Sequence, residues 1–372
     1  MYVNGGIKDV KLPGHTNRAS MKNKRSGIPL IAELAGVSIG TVDRALHQRP
    51  GINDETRQKV LDIAKKIGYR PNLAARSLSI GRRIRIGVCV PQEIRYFYNE
   101  MWEGINEEVR RYSDRGIDFL LRPVPELGKG ERPAFRALLE EGAQGIVVTP
   151  GNPDSMTPLI DAAEEGGVRV MCVSTDAPAS KRSSIVCVEP RLNGLIAGEL
   201  MAKFVPKRSE VAIITGMLKT VDHREKAEGF TKSFMSCCRD GTVVATIEGH
   251  EDADESFRKT RKLLKRTPDL AGIYVNTVNC LPVCRALSAA GLEGKVRVIA
   301  TDLFREMAPL FKAAIIDASM HQRPYRQGQI AVRTLAEHLL HDTDLPATHY
   351  LNPGIILRSN LHLFRETGGK GA

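Results

Sequence analysis

Five residues near the N-terminus are spaced to touch a polyanion: Ser38, Ile39, Gly40, Thr41 and Arg44. They follow a short apolar helix in IPLIAELAGVSIGTVDRALHQRP (residues 28–50). A Gly36-Val37-Ser38 turn then leads into a second helix, the pattern of a helix-turn-helix. In such a unit the second helix lies in the major groove and its first residues meet base edges. Ser38 caps that helix, so Ile39 and Gly40 project into the groove while Thr41 and Arg44 reach phosphates or bases. The helix N-terminus favours a phosphate in its own right. Val42 and Leu46 face the other way, toward a core.

Charge supports a polyanion partner. The chain of 372 residues carries a formal net charge of +11. Residues 1–83 hold 16 Lys and Arg against 6 Asp and Glu, whereas the other 289 hold 38 against 37. The excess therefore sits beside the helix-turn-helix, where phosphate neutralisation would release counterions. A helical hairpin that merely packs would share the periodicity but not this local surplus.

Other chemistries find no constellation. No Walker loop, GxSxG elbow or HExxH motif occurs, and Gly128-Lys129-Gly130 lacks the third glycine of a dinucleotide fingerprint. The seven cysteines include no CxxC pair and no Cys/His cluster at zinc spacing. Several lie in apolar runs such as GVCV and VMCV, where Cys acts as a small buried hydrophobe. The expectation is a protein that is not an enzyme and has no cofactor and no metal. No apolar run is long enough to cross a bilayer and no secretory signal opens the chain, so a cytoplasmic location and no membrane partner are expected.

The elements that position these residues fall into blocks. Residues 1–26 lack periodicity and read as a disordered basic extension. Residues 27–70 form a three-helix unit whose third helix starts at an Asn53 N-cap and ends at Gly68. Residues 71–83 are a hinge or linker, opened by Pro71. From Ile84 onward apolar strands alternate with amphipathic helices. Strands are predicted at 84–90, 117–122, 145–150, 168–174, 185–189, 210–216, 242–249, 270–276 and 296–302. Helices are predicted at 98–115, 191–204, 221–237 and 254–266. This alternation implies parallel sheets covered on both faces, and the strand count exceeds one comfortable sheet. Two α/β lobes are expected over 84–372, the N-lobe at about 84–186 and 319–344, the C-lobe at about 187–318 and 345–372.

From Ala32 to Leu78 the chain resembles the lactose-repressor (LacI/GalR-type) family, in the AGVS turn, the TVDRAL helix and the GYRPNLAARSL segment. Asp43 replaces a usual Ser, His47 stands where Asn is common, and Gly40 gives a specificity position no side chain. The resemblance implies that residues 72–78 fold on operator DNA in a dimer, with Asn72 and Ala75 at the DNA-side hinge and Leu78 wedged into the minor groove. It implies an all-α helix-turn-helix headpiece followed by a two-lobed periplasmic-binding-protein-like domain, built from two doubly wound parallel sheets with interlobe crossings.

Within the lobes the likeness is to ribose- and xylose-type modules, and it suggests the ligand contacts. In PQEIRYFYNEMWEGI it implies Arg95 as a polar contact and Phe97 and Tyr98 as an aromatic clamp. STDAPASKR offers Asp176 for hydroxyl binding, with Ser174 where many relatives carry another Asp. DHREKAEGF offers Arg224, GIYVNTVNC offers Asn276, VIATD offers Asp302, and ASMHQRPYRQG offers Gln322. Carboxylate, guanidinium and aromatic groups of this kind suit a sugar's hydroxyls and its apolar face. A sugar, polyol, sugar acid or sugar phosphate would each suit this set. The family pattern implies a homodimer on a pseudo-palindromic operator in double-stranded DNA, with repression relieved by the effector as the default. No leucine-rich heptads follow at NLHLFRETGGKGA to make a tetramer. A periplasmic solute carrier would share the lobes but has no use for a helix-turn-helix.

Overall fold

The computed structural model describes residues 27–46, 50–67, 69 and 83–365. The predicted extension at 1–26, His47, Gly68 and the hinge residues Asn72, Ala75 and Leu78 lie outside the described residues. The chain forms two compact units, one with the first three helices and one with every later element.

In the first unit α1 (Ile28–Ala35), α2 (Ile39–Leu46) and α3 (Asp54–Lys66) surround a small core. Ile31, Ala35, Val42, Ala45, Val60 and Ala64 meet there. Gly36 takes a left-handed φ of 68°, ending α1 so that the chain can reverse into α2. Ser38 Oγ accepts the Thr41 N–H at 3.1 Å, and Asn53 Oδ1 accepts the Thr56 N–H at 2.7 Å. Both helix starts are thus capped as the sequence predicts.

The second unit holds two six-stranded sheets. The N-lobe elements are β1 (Ile84–Cys89), α4 (Arg95–Ser113), β2 (Ile117–Leu121), α5 (Glu131–Glu140), β3 (Gly145–Val148), α6 (Pro153–Glu165), β4 (Arg169–Val173) and β5 (Ser184–Val188). The chain then crosses into α7 (Pro190–Phe204), β6 (Glu210–Thr215), α8 (Val221–Cys237), β7 (Thr242–Glu248) and α9 (Ala253–Arg266). The C-lobe continues through β8 (Leu270–Val275), α10 (Cys280–Ser288), β9 (Arg297–Thr301), α11 (Met307–Lys312) and β10 (Ala318–His321). A return crossing leads to α12 (Pro324–His341) and β11 (His349–Leu351), and a third to β12 (Gly354–Ile356) and α13 (Leu361–Arg365).

The sheet orders are β11-β5-β4-β3-β1-β2 and β12-β10-β9-β8-β6-β7. Every pair is parallel except β12 with β10. Strands such as GIVV and SIVCV are buried along their whole length. A sheet covered by helices on both faces demands that kind of strand.

Two expected lobe boundaries need correction. β10 pairs with β9 and β12, so 318–321 belongs to the C-lobe rather than opening the second N-lobe segment. β11 pairs with β5, which keeps the chain in the N-lobe through Leu351, beyond the expected return at 345. The crossings therefore fall near Glu189, Arg323 and Asn352. These strands are three or four residues long, too short for an alternation pattern to declare them.

Candidate functional site

The exposed side of α2 is its N-terminal face. Ile39 is 56% exposed, Gly40 and Arg44 are exposed, and Val42 and Ala45 are fully buried on the opposite side. Thr41 is half-buried, and its hydroxyl lies 2.9 Å from Ser38 Oγ. Ser38, Ile39, Gly40, Thr41 and Arg44 thus gather at one end of one helix. A surface-exposed Ile beside a residue without a side chain contributes little to this unit's stability and is free for a partner.

In the second unit the C-terminal strand ends of both sheets face a cleft between the lobes. Five non-glycine residues in or next to its lining adopt left-handed backbone: Ile94, Ser174 and Glu251 line it, and Asp302 and Arg323 adjoin the lining residues Thr301 and Gln322. Such conformations cost about 1–3 kcal/mol each and concentrate where a fold must aim particular groups. The cleft encloses a cavity of only about 30 Å³. The lobes are closed on each other. Thr220 Oγ1 donates to Gly151 O at 2.9 Å, and the Asp222 N–H donates to Thr175 Oγ1 at 3.3 Å across the gap. At the mouth the Tyr96 ring of α4 stacks on Phe304, centroids 4.1 Å apart.

Of the residues named from sequence, Phe97, Tyr98, Asn276 and Gln322 line this cavity. Phe97 and Tyr98 are buried and meet edge to face, centroids 5.0 Å apart. Asp302 lies behind the wall: its Oδ1 accepts the Gln322 N–H at 2.8 Å and its Oδ2 accepts Gln322 Nε2 at 2.7 Å. Burial pushes the Asp302 carboxyl up to about 6 against those hydrogen bonds. Its role is to hold Gln322. The Arg95 side chain lies outside the described residues.

Two further residues named from sequence also lie off this lining. Arg224 lines a separate groove with Lys219, Glu248 and Asp154. It sits two positions from both Asp222 and Lys226 on α8, about 200° around the helix. Asp176 does not line the cavity. Its carboxylate is paired with Arg182, which donates from Nη2 at 2.7 Å and from Nε, and it also accepts the Ala177 N–H at 2.7 Å. An aspartate already held on both oxygens has little to offer a ligand.

The cleft uses groups that sequence reasoning passed over. Asp222, His223 and Lys226 project into it from the first turns of α8. Lys226, 1% exposed, donates to Asp222 Oδ2 at 2.7 Å and to Gln322 Oε1. A hydrogen-bonded chain Asp302–Gln322–Lys226–Asp222 therefore runs along the C-lobe wall. Glu251 binds Thr277 and Asn279 and faces His223 Nε2 at 3.3 Å. His223 Nδ1 accepts the Met217 N–H at 3.0 Å, which leaves the ring's proton on Nε2. The Tyr98 hydroxyl is pushed well up by burial and then by the carboxylates of Glu251, Glu131 and Asp222.

A signal for this face was present in the sequence. Positions 223, 226, 227, 230 and 234 share one side of a helix, and Phe230 and Phe234 declare that side buried. Glu251 gave no comparable signal, because a turn residue in the left-handed region has no periodicity.

Among the described residues no group of three or more His, Cys, Asp or Glu is placed to hold a metal ion. Burial pushes the Cys89 thiol up to about 12, far from thiolate chemistry at neutral pH. Among the described residues no helix is long and apolar enough to cross a membrane.

Two parallel α/β lobes with three crossings, closed over buried polar groups, define a binding protein of the periplasmic type. Residues 86–343 match the periplasmic binding protein domain, and residues 29–72 match the bacterial regulatory proteins of the lacI family. The chain belongs to the periplasmic binding protein domain family, which makes up its larger part, and it carries a lacI-family regulatory domain at residues 29–72.

The transcriptional regulator DegA of Bacillus subtilis (strain 168) is 27% identical over 266 residues, covering 71% of this chain and 76% of DegA. Catabolite control protein A of Priestia megaterium is 24% identical over 320 residues, covering 84% of this chain and 92% of that protein. A solute-binding protein of an ABC transporter from Burkholderia graminis C4D1M, solved with D-arabinose, is 22% identical with a TM-score of 0.70. The match covers 78% of this chain and 99% of that one, and it shows the fold of the lobes.

Proposed function

We propose that this protein is a transcriptional repressor in which a small polyhydroxylated effector, bound between the lobes, sets the affinity of a paired headpiece for operator DNA. It acts by binding and not by catalysis, as a homodimer in the cytoplasm. Ser38 and the N-terminus of α2 meet a phosphate, Ile39 and Gly40 face base edges, and Thr41, Arg44 and His47 complete the contact. Asn72, Ala75 and Leu78 serve the hinge between headpiece and lobes. Two-fold symmetry of the protein would be mirrored in a pseudo-palindromic site. Effector and DNA are coupled because the ligand prefers one of two lobe arrangements.

The observation that carries this reading is the coexistence, in one chain, of an exposed reading face on α2 and a closed cleft lined with buried polar groups. The family match at residues 29–72 and the regulators among its relatives support it.

Selection of duplexes from a random pool with the full-length protein tests it, because no operator need be known. Enriched sequences should contain two symmetric half-sites. Arg44→Ala should weaken binding about uniformly across sequences and reduce the salt slope by about 1 if Arg44 contacts a phosphate. Failure to enrich any symmetric sequence at low salt would overturn the reading.

A further inference from the structure

The interlobe cleft holds acceptors that no described donor meets. Among the described residues, Asp222 Oδ1 and Asn276 Oδ1 are buried with no hydrogen-bond partner. The Asn276 amide is oriented by its own Nδ2, which donates to His223 O at 2.9 Å and leaves the oxygen unused. Glu251 Oε1 faces the His223 Nε2 at 3.3 Å.

The described cation of the lining, Lys226, is already engaged by Asp222 Oδ2 and Gln322 Oε1. Among the described side chains, Asp222, Glu251 and, behind them, Asp302 therefore set three carboxylates against one ammonium. Arg224, which would have balanced them, lines another groove. Buried acceptors without donors are costly, and a ligand that supplies donors relieves that cost.

We propose that the cleft selects a polyhydroxylated ligand bearing no negative charge. In this assignment ligand hydroxyl or ammonium protons fall on Asp222 Oδ1 and Asn276 Oδ1, and Asp222 is the residue that rejects sugar acids and sugar phosphates. The inference rests on the ligand-binding role proposed above and narrows it. An anionic group at this wall would leave both oxygens unpaired and add a like charge in a closed, poorly solvated space. Specificity of this sort comes from what the site repels as much as from what it holds.

Matched probes test it in the full-length protein by ligand-induced melting shifts and titration calorimetry. One set is D-glucose, D-glucosamine, D-glucuronate and D-glucose 6-phosphate. A second is D-ribose with D-ribose 5-phosphate, and a third is myo-inositol with its 1-phosphate.

Within a set that binds, the uncharged or aminated member should bind, and each acidic member should be weaker by about tenfold or more. Asp222→Asn keeps an acceptor for Lys226 while removing the charge, and it should shrink that gap. A second variant, Asn276→Leu, should weaken the neutral member without admitting the acidic one.

An acidic member that binds the wild type as tightly as its neutral partner overturns this inference and leaves the proposed function standing. A gap that Asp222→Asn does not change removes Asp222 from the selective role. No shift with any probe, in wild type or Asp222→Asn, overturns the ligand role of the cleft, and this inference falls with it. Selection of symmetric duplexes would be untouched by that result, so the two failures are told apart.

Discussion

A carboxylate that never touches the ligand can still decide whether the site exists. Asp302 is 2% exposed, and both of its oxygens accept protons from Gln322. The Gln322 side-chain nitrogen is thereby held at Asp302, so its oxygen is the end that Lys226 finds. Asp302→Asn removes a charge that burial disfavours, which on its own would stabilise the fold. It also places an amide donor against Gln322 Nε2. If Gln322 flips to accept from it, a donor then faces the Lys226 ammonium. One buried group is left unpaired in either arrangement, at a cost of about 1–3 kcal/mol. Asp302→Asn should therefore lower the urea midpoint and diminish ligand-induced shifts together. A variant with unchanged stability and unchanged shifts would show that the chain from Asp302 to Asp222 transmits nothing.

At the scale of elements, α8 carries Asp222, His223 and Lys226 of the cleft, and its position is set by its packing on α7. The two helices approach so closely that a Cβ on Gly194 of α7 would lie 2.1 Å from Lys226 O, and one on Gly229 of α8 would lie 2.4 Å from Arg191 O. Both neighbours are backbone, so neither can swing aside. Gly194→Ala should force the helices apart and cost about 1–3 kcal/mol as an overpacked core does. It should also withdraw Lys226 from Gln322, so the effector response should fall even where the fold survives. Denaturant midpoints and probe titrations on the same variant check this, and a stable variant with full response would refute it. The same helix marks where the sequence was and was not legible. Its existence and bounds, 221–237, could be read from periodicity. Arg224 came from the resemblance of DHREKAEGF to a ligand-contacting helix start, whereas the helix geometry of this chain puts 222, 223 and 226 toward the cleft. The pairing of Asp176 was hidden for another reason: its partner Arg182 lies six residues along an irregular loop, and no period announces such a contact.

For the whole molecule, the long parallel strands were legible because each is apolar along its length and bounded by turns. The short β10, β11 and β12 that set the second and third crossings were not. What relates the two lobes electrically was also hidden, since it depends on groups far apart in sequence. Glu100 on α4 of the N-lobe feels Asp302 of the C-lobe. Burial first, then that carboxylate and Glu103, push the Glu100 carboxyl up to about 8. A carboxyl raised above its unfolded value is stabilising while protonated, and that contribution is lost as pH rises toward the folded value. Asp302, raised to about 6, and His321, lowered to about 4 by burial, complete their changes at lower pH. Between pH 6.5 and 7.5 the decline should therefore belong chiefly to Glu100, because the buried thiols, Cys89 among them, add their own decline only as pH approaches the ordinary thiol range. Urea midpoints of the wild type should fall across that window, and Glu100→Gln should flatten the curve by removing the proton that is lost. Because the two carboxylates stand on opposite lobes, their repulsion above pH 8 also works against closure, opposing the Tyr96–Phe304 stack at the mouth. Probe affinity should weaken over the same range in the wild type and less in Glu100→Gln. A parallel decline in both proteins would place the titrating group elsewhere and remove Glu100 from the contact between lobes.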